Sequence, residues 1–436
     1  MILQWLNSVR YAWRTPAIIE RRNVSIARAR LQKHTLDMPC TTDNKQLLLD
    51  VSVICRHDAG TGIQRIVRAV LKQMFSDTLP AGYTVRPVAA TRKQPYRYLD
   101  WDGVTATPDW GGKILIQPGD IFLGLDLSAH IIPAHRHQLA EWKEQGAALH
   151  FIVYDLLPLH HPEWFSGKLV AAFRRWIPAI AVLADSAICI SRTVEAELLA
   201  WFEDRYGFAP GIVSTRVIPM GWDIATMKPS QGLPLNFDQD LVQIQERKTV
   251  LMVGTIEPRK GHAEVLDAFE QLWTTGEQTC LVIAGKQGWK VEALIHRLHT
   301  HPEAGKRLHW LDNPSDDVLL LLYQQCRGLI MASKGEGYGL PLIEAACYNK
   351  PMLVRDIPVF REIVGEAASY FSDTEPNSLE KALPQWLAKL EAKTQAPLGY
   401  PAWATWQESY YQLVCVLFPQ HKQSRSNAHE SMHESK

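Results

Sequence analysis

The chain has 436 residues, of which 46% are hydrophobic, and its 46 Lys plus Arg balance 46 Asp plus Glu. That length exceeds what one hydrophobic core organises, so two domains are expected, and the zero net charge offers no global field for nucleic acid. No stretch approaches the roughly 18 apolar residues of a membrane span, Arg10 and Arg14 break up the N-terminus where a secretory signal needs an apolar core, and seven scattered cysteines without a C-x-x-C pair fit a reducing cytoplasm.

Residues 1–45 read as a basic amphipathic arm. Within the first 36 residues Arg10, Arg14, Arg21, Arg22, Arg28, Arg30 and Lys33 stand against the single acid Glu20, and Ile2, Leu6, Val9 and Trp13, with Leu3 and Trp5 beside them, form an apolar stripe that Pro16 ends. Such a helix suits the headgroup region of an anionic bilayer, or it packs on its own domain; the pattern leaves both open.

From residue 46 to 225, apolar runs ("LLLDVSVI", "KILIQ", "DIFLGLD", "LHFIVYD", "SAICIS", "TRVIPMG") alternate with helical periodicity, the signature of parallel strands with helical crossovers. In "DVSVICRHDAGTGIQRIVRAVLKQMF" a strand leads through Gly60 and Gly62 into a helix whose buried face is Ile66, Val67, Val70, Leu71 and Met74. Backbone amides at such a turn, with the positive end of the helix dipole, suit a phosphate, although glycines also occur there for packing alone.

The rhythm breaks at "WDIATMKPSQGLPLNFDQD", and residues 226–246 are read as a linker. It resumes over 247–395 with "TVLMVG", "CLVIAG", "RLHWLD", "GLIMAS", "PMLVRD" and "ASYFS". Two doubly wound α/β domains with parallel sheets would carry ligand sites at the carboxyl ends of their strands, across a cleft. In "TVLMVGTIEPRKGHAEVLDAFEQLW" the cations Arg259 and Lys260 sit at the strand-end turn, where a fork and a mobile point charge suit a diphosphate. In "SKGEGYGLPLIEA" Glu336 lies in a glycine-rich loop and Pro341 opens a helix, so Glu344 is placed in its first turn, where a carboxylate also serves merely to complement the dipole. Residues 396–418 read as a last helix and 419–436 as a disordered tail.

With these residues in view, the chain resembles the retaining glycosyltransferases of family four from about Leu47 to Val416. The resemblance rests on "GEGYGLPLIEAACYNKPMLVRDIPVFREIVGEAASYF", with its two glutamates separated by seven residues, and on "VGTIEPRKGH"; "AGTGIQR", "YDLLPLHHPEWF" and "ATWQESYYQL" add to it. It implies the GT-B fold, two facing Rossmann-like domains with an interdomain cleft, the first on the acceptor side and the second on the nucleotide-sugar side, with the last helix returning to the first. It also implies that Glu336 lies near the transferred sugar, that Glu344 accepts the ribose hydroxyls, that Arg259 and Lys260 hold the diphosphate, that Gly62 lets the first domain's loop approach it, and that the amides of Tyr338, Gly339 and Leu340 contact sugar or phosphate.

Many members carry His before Asp where this chain has Tyr154 and Asp155, so the resemblance implies a sugar or acceptor contact from among Tyr154, Asp155, His160 and His161. Some carry an Arg near the strand end where this chain has Gly254, which leaves the cationic task to Arg259 and Lys260. No Asp-x-Asp or His/Cys cluster points to a metal, so a metal-independent enzyme without a cofactor is expected. "DVSVICRHDAGTGIQR" and "YDLLPLHHPEWF" most resemble bacterial surface-polysaccharide transferases. They favour GDP-mannose as donor, a lipid-linked or growing glycan as acceptor, and a cytoplasmic enzyme peripheral to the inner membrane. The alternatives are a GT-B epimerase, a glycosidase using Glu336 and Glu344, and a non-catalytic scaffold of polysaccharide assembly; a Rossmann dehydrogenase lacks its G-x-G-x-x-G turn in the second domain.

Overall fold

The computed structural model describes residues 17–35, 44–58, 60–77, 79–80, 82–101, 109–222, 248–392 and 403–419. The apolar stripe of the arm, the linker at 226–246 and the tail beyond Pro419 lie outside the described residues. Those that are described fall into two compact units, the first within Met1–Pro162, Ser166–Gly221 and Ala404–Lys436, the second within Glu163–Phe165 and Trp222–Trp403.

The first unit holds an eight-stranded sheet in the order β4-β3-β2-β1-β5-β6-β7-β8. Its strands are β1 (Lys45–Asp50), β2 (Tyr83–Ala89), β3 (Arg97–Asp100), β4 (Asp109–Lys113), β5 (Ile121–Gly124), β6 (Ala148–Val153), β7 (Ser186–Cys189) and β8 (Ser214–Val217). All pair in parallel except β2 with β3 and β3 with β4. Leu47, Leu48 and Leu49 are wholly buried, as a central parallel strand covered by helices on both faces requires. The helix Gly62–Ser76 starts in a capping box between Thr61 and Gln64 and buries Ile66, Val67, Val70, Leu71 and Met74. The helix Trp406–Leu417, likewise opened by a capping box (Thr405 with Glu408), packs against it.

Two expectations need correction here. "KILIQ" is not a strand beyond Lys113, the last residue of β4, because its backbone groups bond side chains instead: Leu115 O accepts from Gln46 Nε2 at 3.0 Å and Gln117 N donates to Asp120 Oδ2 at 2.9 Å. The basic arm does not run to residue 45 either, since Ala17–Thr35 is a helix packed on Arg136–Glu144, Gly167–Leu183 and Arg192–Tyr206. Arg28 is 4% exposed and donates to the carbonyls of Ala181 (3.0 Å), Val182 (3.4 Å), Ala184 (2.8 Å) and Ile212 (2.6 Å). It thereby closes the C-terminal end of Gly167–Leu183, where a cation also complements the helix dipole. Glu20 pairs with Arg205 at 3.0 Å.

The second unit holds six parallel strands in the order β11-β10-β9-β12-β13-β14: β9 (Thr249–Val253), β10 (Cys280–Ala284), β11 (Leu308–Leu311), β12 (Gly328–Met331), β13 (Met352–Arg355) and β14 (Ser369–Phe371). Counted within the unit, the order is that of a Rossmann sheet, which reverses direction between β9 and β12. Val265, Leu266 and Phe269 of the helix His262–Thr274 pack with Val250 and Leu281 of the strands to form its core. Ligands of such sheets bind outside the carboxyl ends of the strands at this reversal, so the turns after β9 and β12 are where a site is to be sought.

Candidate functional site

The two turns are stitched together. Gly261, between the 3-10 turn Pro258–Lys260 and the helix His262–Thr274, has φ +76°, and a Cβ there would lie 2.4 Å from Ala332 O. Only glycine therefore lets the first turn press against the end of β12. Lys334 N donates to Arg259 O at 2.7 Å, and Arg259 Nη1 donates to Gly335 O at 2.7 Å.

The paired cations and the first glutamate meet within this frame. Arg259 Nη1 lies 2.9 Å from Glu336 Oε2, Lys260 Nζ lies 2.5 Å from Glu336 Oε1, and Arg259 Nη2 lies 2.7 Å from Glu257 Oε1. Burial alone would push the Glu336 carboxyl upward; Arg259, Lys260 and the Ser333 hydroxyl outweigh it and hold the group at about 2. Glu257 moves the other way, because burial outweighs Arg259 and Lys260, and Glu336 adds repulsion. At the head of the next helix, His262 is 2% exposed, and burial, then Lys260, lowers it to about 3 against a hydrogen bond to the Gly254 backbone.

Behind the cations, Arg355 at the end of β13 fixes both turns. Its Nε donates to Ala332 O at 3.0 Å, its Nη2 pairs with Glu264, and Glu264 also receives Lys334 at 2.6 Å. The sequence reading missed Arg355, Glu264 and Glu257; the signal was present as a cation closing the strand "PMLVR" and an acid beside the cation pair in "IEPRK".

Glu344 is buried, at 3% exposure, and is the fifth residue of the helix Leu340–Cys347, whose first turn holds no acid. It therefore lies past the first turn in which it was expected, where complementing the dipole explains little. Its Oε2 accepts from the Tyr323 hydroxyl at 2.7 Å, and the Tyr323 ring lies parallel to that of Tyr348, 6.1 Å away. Tyr323 comes from the helix Asp316–Gln325, so no local motif announced it. Tyr338 in the loop before this helix and Leu340 at its start are buried side chains, and Gly339 between them has φ +107°, a turn that a side chain would strain.

In the first unit, Gly62 is the first residue of its helix, directly after the N-cap Thr61. The loop that leads there is held by Asp126 of the β5 end, whose Oδ2 accepts from Val53 N (2.9 Å) and Ile54 N (2.7 Å). Asp50 at the end of β1 accepts from the Ser52 hydroxyl at 2.5 Å and from Tyr96 OH at 3.0 Å. Burial, then Asp50, raises Asp126 to about 7.

Tyr154 is 1% exposed and donates its hydroxyl to Leu125 O at 2.6 Å, so its side chain is packed in the core between β6 and β5. Asp155 is half-buried and caps Leu157 N at 3.1 Å. His160 is exposed and meets the Trp201 ring edge-on at 5.5 Å, while His161 is half-buried. The sequence reading missed Glu197, which burial and then Asp155 raise to about 7.

The family described as "Glycosyl transferases group 1" matches residues 236–397. The chain is 39% identical over 390 residues to the serotype-specific mannosyltransferase WbdA of Escherichia coli, which covers 88% of this chain and 45% of WbdA. It is 27% identical over 290 residues to the O-antigen chain mannosyltransferase RfbU of Salmonella typhimurium, covering 66% of this chain and 69% of RfbU. Among solved structures, HepE of Anabaena in complex with UDP-glucose superposes with a TM-score of 0.56 at 15% identity, covering 88% of this chain and 99% of HepE. Together with the two parallel-sheet units, that likeness shows the GT-B fold. The chain spans less than half the length of WbdA.

Proposed function

We propose that the chain, whose residues 236–397 match the family described as glycosyl transferases group 1, is a retaining mannosyltransferase of surface-polysaccharide biosynthesis, moving mannose from GDP-mannose to a lipid-linked or growing glycan. The observation that carries this reading is the pair Arg259 and Lys260, both turned onto one carboxylate at the strand reversal of the second unit. Two fixed cations there suit a donor diphosphate. As the sugar leaves, negative charge grows on the departing nucleotide, and cations already in place stabilise it without reorganisation. They also carry the charge that a metal carries elsewhere, so the reaction is proposed to be metal-independent. The similarity to WbdA and RfbU supports mannose and the O-antigen setting.

In this reading Glu336 faces the transferred sugar and Glu344, braced by Tyr323, takes the ribose hydroxyls. A glycosidase using these two carboxylates fits less well, because Arg259 and Lys260 engage both oxygens of Glu336 and the cation pair suits a diphosphate donor. The departure at Tyr154 does not favour a dead scaffold, since that residue serves the core.

A contact with anionic membrane belongs to the same proposal. None of the described helices is long and apolar enough to cross a bilayer. The helix Ala17–Thr35 nevertheless leaves Ile18 (82% exposed), Ile19 (48%) and Ile26 (39%) uncovered beside Arg22, a face suited to headgroups. Arg28 and Glu20 take no part in it.

One experiment tests these points: a panel of nucleotide sugars, with a polyprenyl-linked mannan acceptor in anionic or neutral vesicles, followed by released nucleotide. GDP-mannose should turn over fastest, EDTA should not slow it, and anionic vesicles should raise the rate at low salt but not at high salt. Release from another donor alone overturns the mannose assignment, loss with EDTA overturns metal independence, and equal rates in both vesicles overturn the membrane contact.

A further inference from the structure

The cations proposed for the diphosphate are already occupied. Glu336 engages both of them, with one oxygen each, and Arg259 also holds Glu257. The four side chains are between 3% and 15% exposed and carry two positive and two negative charges, so the cluster is neutral before any ligand arrives. A diphosphate brings at least two further negative charges into the same small, poorly solvated space. Something must give.

Glu257 is the weakest member. Its Oε1 lies on Arg259, while its Oε2 is buried without a hydrogen-bond partner. A phosphate that draws the guanidinium toward itself would leave a buried carboxylate facing Glu336, which is costly as an anion and cheap as a neutral acid. The other charged or titratable groups around it are accounted for. Lys260 and Arg259 lie on its own turn, and Glu336 comes from the loop after β12 and keeps two cations. His262 opens the next helix and is held neutral by burial and Lys260, and Lys286 stands in the loop after β10, whose carbonyl accepts from Ile256 N at 2.9 Å. Burial has already raised Glu257 against the pull of Arg259 and Lys260.

We propose that Glu257 is the proton acceptor of this site, so that a nucleoside diphosphate entering beside Arg259 and Lys260 binds together with one proton, which converts the Glu257 carboxylate to the neutral acid. The proton comes from solvent and returns to it when the nucleotide leaves. The inference rests on the diphosphate reading of the cation pair. It makes affinity for the nucleotide fall with rising pH, up to tenfold per unit between the free-state and the nucleotide-bound pKa of Glu257.

The test is calorimetric titration of the full chain with GDP at pH 8, where the terminal phosphate is already ionised, in two buffers of different ionisation enthalpy. The wild type should take up a measurable fraction of a proton, at most one, per nucleotide. Glu257→Gln, which keeps the shape of the neutral acid, should take up none, bind GDP roughly tenfold more tightly at pH 8, and lose the pH slope. Binding without proton uptake in the wild type overturns the inference, and that arm stands even if the variant fails to fold. Uptake that persists in Glu257→Gln also overturns it and moves the proton to His262. Absence of any binding by GDP and UDP would overturn the diphosphate reading as well, whereas binding without uptake sinks this inference alone.

Discussion

Lys260→Ala should slow transfer by about 10²-fold or more, because it removes a cation that is in place before charge develops on the leaving diphosphate. The substitution is structurally mild. Its partner Glu336 keeps Arg259 at 2.9 Å, so no buried carboxylate is left without a cation. Arg259→Ala should cost at least as much rate, and stability too, because Glu257 and Glu336 both lean on the guanidinium and truncating one member of a buried ion pair costs about 3 to 5 kcal/mol. Steady-state rates for both variants, measured below their melting temperatures with circular dichroism as the control for folding, check this. Near-normal turnover in both would remove the cations from the mechanism.

Glu344→Gln should weaken binding of the nucleoside diphosphate by roughly 1.5 to 3 kcal/mol, about ten- to 150-fold, the range for a hydrogen bond to a charged group. The amide keeps the length of the side chain and still has an oxygen for the Tyr323 hydroxyl, which now sits 2.7 Å from Oε2. What it loses is the negative charge and one acceptor, so two ribose hydroxyls would meet an N–H instead. Titration with the nucleotide alone reads this directly. An unchanged affinity would make Glu344 a packing residue of its helix and remove the ribose assignment.

Much of this architecture was legible because both signals it uses are local. Continuous apolar runs marked β1, β5, β6 and β7, and a glycine-containing turn marked where the helices Gly62–Ser76, His262–Thr274 and Leu340–Cys347 begin. "PRKG" announced its turn in the same way: the glycine at 261 is required by φ +76° and by the carbonyl of Ala332 beside it. β2 escaped notice because Pro87 interrupts a strand that alternates polar and apolar residues, and it is tolerated where β2 pairs with β3 only at Val88 and Ala89.

The partners of the site were less legible, because they come from elsewhere in the chain. Tyr323 reaches Glu344 from 21 residues away, and Arg355 reaches Glu264 from 91. The arm misled for a related reason. Arg28 looks like one more surface cation in sequence, yet it is spent on four carbonyls more than 150 residues distant. Tyr154 stood at a position where the resemblance implies a ligand contact, and its phenol is consumed by Leu125 O, a bond that a buried tyrosine needs and spacing does not reveal.

The central claim is that the strand reversal of the second unit holds a nucleoside diphosphate between Arg259, Lys260 and Glu344. The most direct measurement is an experimental structure of the chain with GDP bound. The account predicts phosphate oxygens within hydrogen-bond distance of Arg259 and Lys260, with Arg259 drawn from Glu257, and ribose hydroxyls on the Glu344 carboxylate. A nucleotide bound elsewhere, or one bound here with neither cation in contact with phosphate, would contradict it.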